Sequence, residues 1–186
     1  FGDVPLVKVT ATSTDQDALY GARVDRDQVM DFVLEDINYA ATNIYDVTNK
    51  TGWSRDLANA IKAEICLYEG TYCKYRVAAD GEKAPDATRA TSYLNAAKAA
   101  CQAIIGKSYS LNSSYQGNYN SLDLAKNPEM ILYKHYVQST FGHSLVDYTT
   151  SSTQQSGMSK DAFDSYLFTD GLPKASTSKD KNDAAS

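Results

Sequence analysis

The chain has 186 residues, of which 42% are hydrophobic and 22% are charged, and its formal net charge is −5. This composition is ordinary for a globular protein that buries a core. The acidic balance argues against nucleic acid as the main partner, because phosphate backbones attract cationic surfaces. No apolar run approaches the roughly 20 residues of a membrane-spanning helix.

The first predicted helix follows residues 1–23, which we expect to be extended and loop-like. Asp25 or Asp27 would cap its start, where a carboxylate meets free amides and the positive end of the helix dipole. Apolar residues at helical spacing then form a stripe of Val29, Val33, Ile37, Ala40 and Ile44, widened by Phe32 and Ala41. This period predicts a helix.

A second helix is predicted from a cap at Ser54 to about Tyr75. One apolar face carries Leu57, Ile61, Ile65, Tyr68 and Tyr72, and a second strip carries Ala60, Ala63 and Leu67. A helix that is apolar on two sides packs between neighbouring elements.

A third helix is predicted over residues 91–105, after a loop over residues 77–89. Its inward-facing residues are Tyr93, Ala97, Ala100, Cys101 and Ile104, and Gly106 is a natural left-handed stop. The sequence NAIKA of residues 59–63 returns as NAAKA 36 residues later, close to the tetratricopeptide period of about 34 residues. Small residues at helical spacing let helices approach closely, as stacked antiparallel pairs require.

The pattern changes after Gly106. Residues 108–124 are rich in Ser, Asn, Gly and Tyr, residues 130–137 are apolar enough for a short strand or a buried segment, and residues 138–157 form a long polar loop with aromatic residues. Ser159 is predicted to cap a short helix that runs to about Phe168. From Lys174 onward a polar tail is predicted to be mobile.

The three cysteines are predicted to be buried free thiols. Cys66 and Cys73 lie on one predicted helix, and seven residues separate their Cα atoms by about 10 Å. A disulfide tolerates only about 7 Å, although pairing of one of them with Cys101 stays open. The cysteines and histidines do not form a zinc-site pattern, so no metal is predicted.

The sequence carries no familiar catalytic motif, and we expect neither an enzyme nor a cofactor. The two histidines have a serine and an aspartate nearby, but nothing indicates a strained nucleophile turn or an oxyanion donor. Two carboxylate pairs, Asp31 with Glu35 and Asp161 with Asp164, lie on polar helical faces. Solvated carboxylates are the rule on such faces, which argues against a glycosidase.

The loop that begins at Tyr136 offers both parts of a sugar-binding site, flat apolar rings and side chains that satisfy hydroxyl groups. Functional residues favour loops on a rigid scaffold. The loop carries Tyr136, Phe141, His143 and Tyr148, with Gln138, Asp147, Gln154 and Gln155.

Two other places carry candidate ligand contacts. Trp53 is the second candidate, with a hydrophobic staple at a helix start as the alternative. The stretch with Tyr115, Asn118 and Tyr119 ranks third. Packing between elements is the alternative for every ring. The predicted ligand-binding residues are Trp53, Tyr136, Phe141, His143, Tyr148 and Gln154.

Five segments carry a family resemblance when they are taken in order. They are FGDVPLV at residues 1–7, LANA and LYEG at residues 57–60 and 67–70, AIIGKSYSL at residues 103–111, NPEMIL at residues 127–132 and SKDAFDSYLFTDG at residues 159–171. Their order and spacing resemble the SusD/RagB family of outer-membrane nutrient-binding lipoproteins. Trp53 departs from the family's pattern, which usually has Arg at that position.

The resemblance implies a mostly α fold of tetratricopeptide-like antiparallel helix pairs, with long irregular loops and little β structure. Members of the family are not enzymes, and they bind oligosaccharides, or sometimes peptides, for a TonB-dependent (SusC-like) outer-membrane transporter. We therefore expect a piece of a longer surface lipoprotein of the cell outer membrane, with a helical segment over residues 1–173 and a tail over residues 174–186.

The expected ligand is an oligosaccharide or polysaccharide that is taken up as a nutrient. Contact with the membrane is expected only through a lipid anchor outside this chain, and no nucleic acid is expected as a partner. The alternative function is a helical-repeat adaptor that binds a protein or peptide and no sugar.

Overall fold

The computed structural model describes residues 3–45, 47, 49–78, 83–137, 139–150 and 156–177. They belong to two compact units, one that ends at His135 and one that begins at Tyr136. The first unit contains the helices α1 (Gln16–Tyr20), α2 (Arg26–Asn43), α3 (Arg55–Tyr75), α4 (Ala87–Ile104) and α5 (Gly117–Asn120). The second contains α6 (Leu145–Thr150) and α7 (Lys160–Asp164).

The β structure of these described residues is limited to two isolated bridges, Val4–Val24 and Val137–Phe141. The predicted mostly α fold with little β structure is therefore confirmed. Among the described helices, none has both the length and the apolar character needed to cross a bilayer.

The helices α2 and α3 begin at predicted caps, Asp25 (one of two candidates) and Ser54. The Asp25 carboxylate accepts a hydrogen bond from the Asp27 amide at the start of α2, and Ser54 Oγ accepts one from the Leu57 amide at the start of α3. Both caps satisfy amides that the first helical turn leaves without a partner. The helix α3 ends at Tyr75, as predicted.

The prediction for the start of α4 was wrong. The helix begins at Ala87, within the predicted loop, because the Asp86 carboxylate accepts a hydrogen bond from the Arg89 amide at 2.8 Å and caps it there. Gly106 has a φ of 90° and lies just past the helix end, which confirms the predicted left-handed stop. The prediction for Cys101 was wrong, because this free thiol is exposed and neither faces inward nor is buried.

The helices α3 and α4 run antiparallel. The Asp86 amide at the start of α4 donates to the Cys73 carbonyl near the end of α3 at 2.9 Å. After the other end of α4, the Tyr109 hydroxyl donates to the Asp56 carboxylate in the first turn of α3 at 3.0 Å.

The helices α2 and α3 form a second antiparallel pair. Arg55 at the start of α3 donates to the carbonyl of Ile44, which ends α2. Arg26 at the start of α2 reaches the Glu69 carboxylate near the end of α3 at 2.7 Å. Since α3 packs against both neighbours, the three helices form the predicted succession of antiparallel pairs.

The core lies along α3, and apart from Leu57 its residues are not those that the sequence analysis placed on an apolar face. Its buried residues are Leu57, Ala58, Cys66, Glu69, Gly70 and Cys73. Leu67 and Tyr68, which were predicted to face inward, are exposed. Across from this face, Tyr93 and Ala97 of α4 pack against Cys66, and the inward positions predicted for Tyr93, Ala97 and Ala100 are confirmed.

After α4 the chain is irregular over residues 130–137, where the sequence predicted either a short strand or a buried segment. Residues 130–137, all of them described, form no strand beyond the bridge at Val137. The Tyr133 amide donates to the Lys50 carbonyl at 2.9 Å, so this backbone bonds to a distant loop and not to a neighbouring strand. Most of the residues in this segment are exposed, so it is not a buried segment either.

The last helix begins as predicted but is shorter. Ser159 Oγ accepts a hydrogen bond from the Ala162 amide and caps α7, which ends at Asp164 and not near Phe168. Beyond it, Thr177 is buried and its hydroxyl donates to the Asp170 carboxylate at 2.6 Å. Residues 178–186 of the predicted tail lie outside the described residues.

A glycine sets the spacing between α3 and α4. A Cβ atom at Gly70 would lie 2.7 Å from Leu94 Cγ and 3.1 Å from the Leu94 backbone nitrogen. No real Cβ contact is as short as the first of these distances, so a side chain at Gly70 forces the helices apart or displaces Leu94.

We expect Gly70→Ala to lower the free energy of unfolding by about 1–2 kcal/mol, because overpacking outweighs the roughly 1 kcal/mol that alanine contributes to helix propensity. Chemical denaturation followed by circular dichroism measures the change. In a Leu94→Ala background the cost should shrink. The control is Gly157→Ala, whose Cβ would meet open space. A Gly70→Ala protein of unchanged stability would contradict the close packing.

Candidate functional site

Three of the predicted ligand-binding residues come together in the second unit. The rings of Tyr136 and Phe141 stack nearly parallel, with centroids 5.7 Å apart and planes at 12°. The His143 ring meets Tyr136 edge-on, at 4.6 Å and 79°. We call Tyr136, Phe141 and His143 the aromatic cluster.

A tight turn brings these rings together. The Val137 and Phe141 amides each donate to the other residue's carbonyl, at 3.0 and 2.9 Å, and close a short antiparallel loop. Ser139 takes a φ of 65°, the left-handed conformation that such a turn requires of a central residue. The backbone, and not ring packing alone, therefore fixes the place of Phe141 beside Tyr136.

The histidine of the cluster has a defined tautomer. Its Nδ1 accepts a hydrogen bond at 3.2 Å from the amide of Leu145, the first residue of α6. In the neutral imidazole the proton then lies on Nε2, which is a donor. His143 is exposed, so the cluster combines an apolar surface with a hydrogen-bond donor at its edge.

The exposure of the cluster distinguishes it from a packing core. Tyr136 is 40% exposed and Phe141 is 49% exposed. Each ring therefore keeps surface open to solvent while a neighbouring ring holds it in place. Such a surface matches the C–H face of a neutral, polyhydroxylated ligand.

Of the other predicted ligand-binding residues, the structure describes Tyr148 and Trp53. Tyr148 lies on α6 in the same unit and is half exposed. Trp53 belongs to the first unit, directly before the Ser54 cap, and its 70% exposure does not fit a packed hydrophobic staple. Gln154 lies outside the described residues, as do Gln138 and Gln155.

A charged site that the sequence analysis missed lies where α2, α3 and α4 meet. Glu69 is completely buried. Its carboxylate pairs with Arg26 at 2.7 Å and Arg89 at 3.4 Å, and it accepts a hydrogen bond from the Cys73 thiol at 3.3 Å. Two arginines from two other helices therefore compensate one buried charge.

The same site extends through two aspartates of α2. Asp27 pairs with Arg76 at 3.0 Å and with Lys83 at 3.1 Å. Asp31 is exposed, as predicted, but it also pairs with Arg89 at 2.8 Å and accepts a hydrogen bond from the Tyr93 hydroxyl at 2.8 Å. We call the whole set the ion-pair network. Its members are Arg26, Asp27, Asp31, Glu69, Arg76, Lys83 and Arg89.

The network shifts the pKa of its member Asp27 and of the neighbouring Cys73. Burial raises the pKa of Asp27, but hydrogen bonds from Arg76 and Lys83 outweigh this and hold that pKa below its usual value. Burial, together with the hydrogen bond to Glu69, raises the pKa of the Cys73 thiol to about 11. Cys73 is therefore a thiol at neutral pH and a poor nucleophile.

Asp27, Glu69 and Cys73 place one possible metal ligand each within 4.8 Å of one another, the one such group in the described part of the chain. Their chemistry does not fit a metal centre. Guanidinium groups already neutralise both carboxylates, and a thiol whose pKa is raised resists the deprotonation that metal binding requires. The group therefore stabilises the fold and does not hold an ion.

Comparisons with known proteins add no further assignment. No family model, curated protein or solved structure matches the chain.

We expect Glu69→Gln to lower the free energy of unfolding by about 3 kcal/mol, because it removes the carboxylate 2.7 Å from the half-buried Arg26 guanidinium and one of the carboxylates that pair with Arg89. Urea denaturation at neutral pH measures the loss. The matched control is Glu64→Gln, an exposed carboxylate on the same helix, which should change stability by less than about 0.5 kcal/mol. Equal effects of the two substitutions would show that the network does not stabilise the helices.

Proposed function

We propose that this chain binds a neutral oligosaccharide or polysaccharide on the aromatic cluster. The observation that carries the proposal is the geometry of Tyr136, Phe141 and His143, which stand together, half open to solvent. A sugar ring has an apolar C–H face and a rim of hydroxyl groups. Stacked rings with a polar edge complement both features.

The chemistry of the loop favours binding over hydrolysis. Glycoside hydrolysis needs two carboxyl groups that flank the scissile bond. Residues 136–143, which carry the cluster, contain neither aspartate nor glutamate. The His143 Nε2–H and the Tyr136 phenol are instead groups that hydrogen-bond to neutral hydroxyls.

The family resemblance extends the proposal to a biological setting. The five segments between residues 1 and 171 resemble the SusD/RagB family, and a scaffold of antiparallel helix pairs is what that resemblance implies. On this basis the protein captures glycan at the surface of the outer membrane and passes it to a TonB-dependent transporter. It acts there as part of a lipoprotein for nutrient uptake.

A second candidate function is a helical adaptor for a protein or peptide, and one observation favours it. A groove of about 750 Å³ lies between α2 and α3, and its apolar lining includes Val29, Met30, Val33, Ile65 and Tyr68. Grooves of this kind receive the apolar face of an amphipathic helix. Capture of a partner protein by a chain that binds no glycan would favour this candidate.

We expect Phe141→Ala to weaken binding of a neutral polysaccharide about tenfold, because it removes one of the two stacked faces and frees Tyr136 to move. Affinity electrophoresis through gels that contain neutral plant and bacterial polysaccharides measures the change as lost retardation.

The matched control is Phe163→Ala, another exposed phenylalanine of the same unit, which should leave retardation unchanged. Normal retardation of both Phe141→Ala and Tyr136→Ala would remove the aromatic cluster as the site. If no neutral polysaccharide retards the unchanged chain, glycan capture itself is wrong.

A further inference from the structure

A second pair of exposed rings lies in the first unit. The rings of Tyr115 and Tyr119 have centroids 5.2 Å apart and planes tilted by 56°, and the Tyr119 hydroxyl donates to the Tyr115 hydroxyl at 3.5 Å. They are 73% and 75% exposed. We call Tyr115 and Tyr119 the tyrosine pair. Neither ring contributes to the helical core described above.

The short helix α5 sets the spacing of the pair. Ser114 Oγ accepts a hydrogen bond from the Gly117 amide at 3.0 Å, and the Gln116 carbonyl accepts one from the Tyr119 amide at 3.0 Å. A helical turn places residues four apart on the same side. Tyr115 and Tyr119 therefore project together from one face of this turn.

The side chain of a buried asparagine, Asn118, holds this turn in place through hydrogen bonds. Asn118 Oδ1 accepts hydrogen bonds from the Asn112 and Asn127 side-chain amides, at 2.9 and 2.7 Å, and Asn118 Nδ2 donates to the Glu129 carboxylate at 2.9 Å. The Asn112 backbone amide also donates to Glu129, at 3.0 Å. We call these four residues the asparagine network.

The network explains why the two rings are preorganised. Polar groups that are buried and mutually hydrogen-bonded hold one conformation, because any other would leave them unsatisfied. Asn118 lies between the two tyrosines in sequence, so its fixed side chain orients the backbone that carries both rings. Binding on preorganised side chains avoids much of the entropy cost of ordering them.

Another tyrosine pair in the same unit shows the contrasting arrangement. Tyr68 and Tyr72 stack nearly parallel at 6.4 Å, and the Arg26 guanidinium lies 3.9 Å from the Tyr72 ring centroid. Tyr72 is thereby engaged within the protein by cation–π contact. Tyr115 and Tyr119 instead expose most of their surface to solvent. The helical turn that carries them is held by the asparagine network.

We infer that the tyrosine pair is a second carbohydrate-contact site, formed by residues other than those of the aromatic cluster and selective for neutral saccharides; this inference rests on the proposed function. One tilted ring offers its face to the C–H surface of a sugar residue, while the phenol hydroxyls hydrogen-bond to its hydroxyl groups. The charged member of the supporting network, Glu129, is an anion, which disfavours an acidic saccharide.

The direct test is nuclear magnetic resonance of the tyrosine rings in the complete chain. Ring carbon signals of Tyr115 and Tyr119 are assigned with Tyr115→Phe and Tyr119→Phe, and that of Tyr136 with Tyr136→Phe. The probes are maltoheptaose, mannohexaose, xylohexaose and cellohexaose, with trigalacturonate as an acidic control. We expect a neutral probe to shift the signals of the tyrosine pair in a saturable manner, and trigalacturonate to leave them unchanged.

The outcomes separate the two proposals. Shifts of Tyr136 without any shift of Tyr115 or Tyr119 overturn the second site and leave the proposed function standing. Shifts of the tyrosine pair alone support the second site and overturn the aromatic cluster as the first. If no probe shifts any of the three rings, both proposals are wrong.

A pair of variants tests whether the shifts report contact. Tyr115→Ala/Tyr119→Ala should weaken binding of the shifting probe at this site about tenfold. The matched control is Tyr39→Ala, which removes an equally exposed tyrosine, 72% open, from the surface of α2 and should leave binding unchanged. Equal binding by the double variant and the unchanged chain would overturn the second site.

Discussion

A carboxylate with no access to water sets the geometry of the helical scaffold. Glu69 lies buried at the junction of three helices, where a carboxylate without a counter-charge is strongly destabilising. Arg26 and Arg89 supply it from the first turns of α2 and α4. Because both arginines must reach the same carboxylate, the register of α2 and α4 along α3 is fixed. A glycine then permits close contact of α3 with α4, because a Cβ atom at Gly70 would collide with Leu94.

The interactions that hold the two candidate ligand sites differ from those that hold the helical scaffold. Ion pairs hold the helices together. Backbone hydrogen bonds hold the aromatic cluster, and asparagine amides bonded to the Glu129 carboxylate hold the tyrosine pair. Asn118 orients the tyrosine pair, and the bridge between Val137 and Phe141 orients the aromatic cluster. Supports of this kind suit an uncharged ligand, and the Glu129 carboxylate disfavours an acidic one. Each site thus presents rings whose positions are set before any ligand arrives.

Sequence reasoning predicted the helices well because their signals are local. Caps at Asp25 and Ser54 and the stop at Gly106 each depend on a few neighbouring residues, and the structure confirms all three. The start of α4 was missed because Asp86 follows a proline in a stretch that resembles a loop. An aspartate is a common helix cap, but the polar residues before Asp86 favoured the prediction of a loop.

The burial of Glu69 was not predicted because its partners are distant in sequence. Apolar periodicity favoured the face of Tyr68, which is exposed. A local signal did exist, since Cys66, Glu69, Gly70 and Cys73 follow helical spacing and form one face. A buried acid on that face is stable only when arginines from other helices pair with it. The spacing of apolar residues within one helix cannot predict such pairing. The aromatic cluster was easier to predict, because its three members lie within eight residues of one loop.

Exposed rings that hydrogen-bonded supports hold in place are the feature on which the functional account depends. A glycan array probed with the labelled chain tests this most directly, because it presents neutral and acidic saccharides side by side at equal density. The account predicts retention on a related group of neutral glycans and none on the acidic ones. Retention on acidic glycans alone, or on no glycan at all, would contradict it.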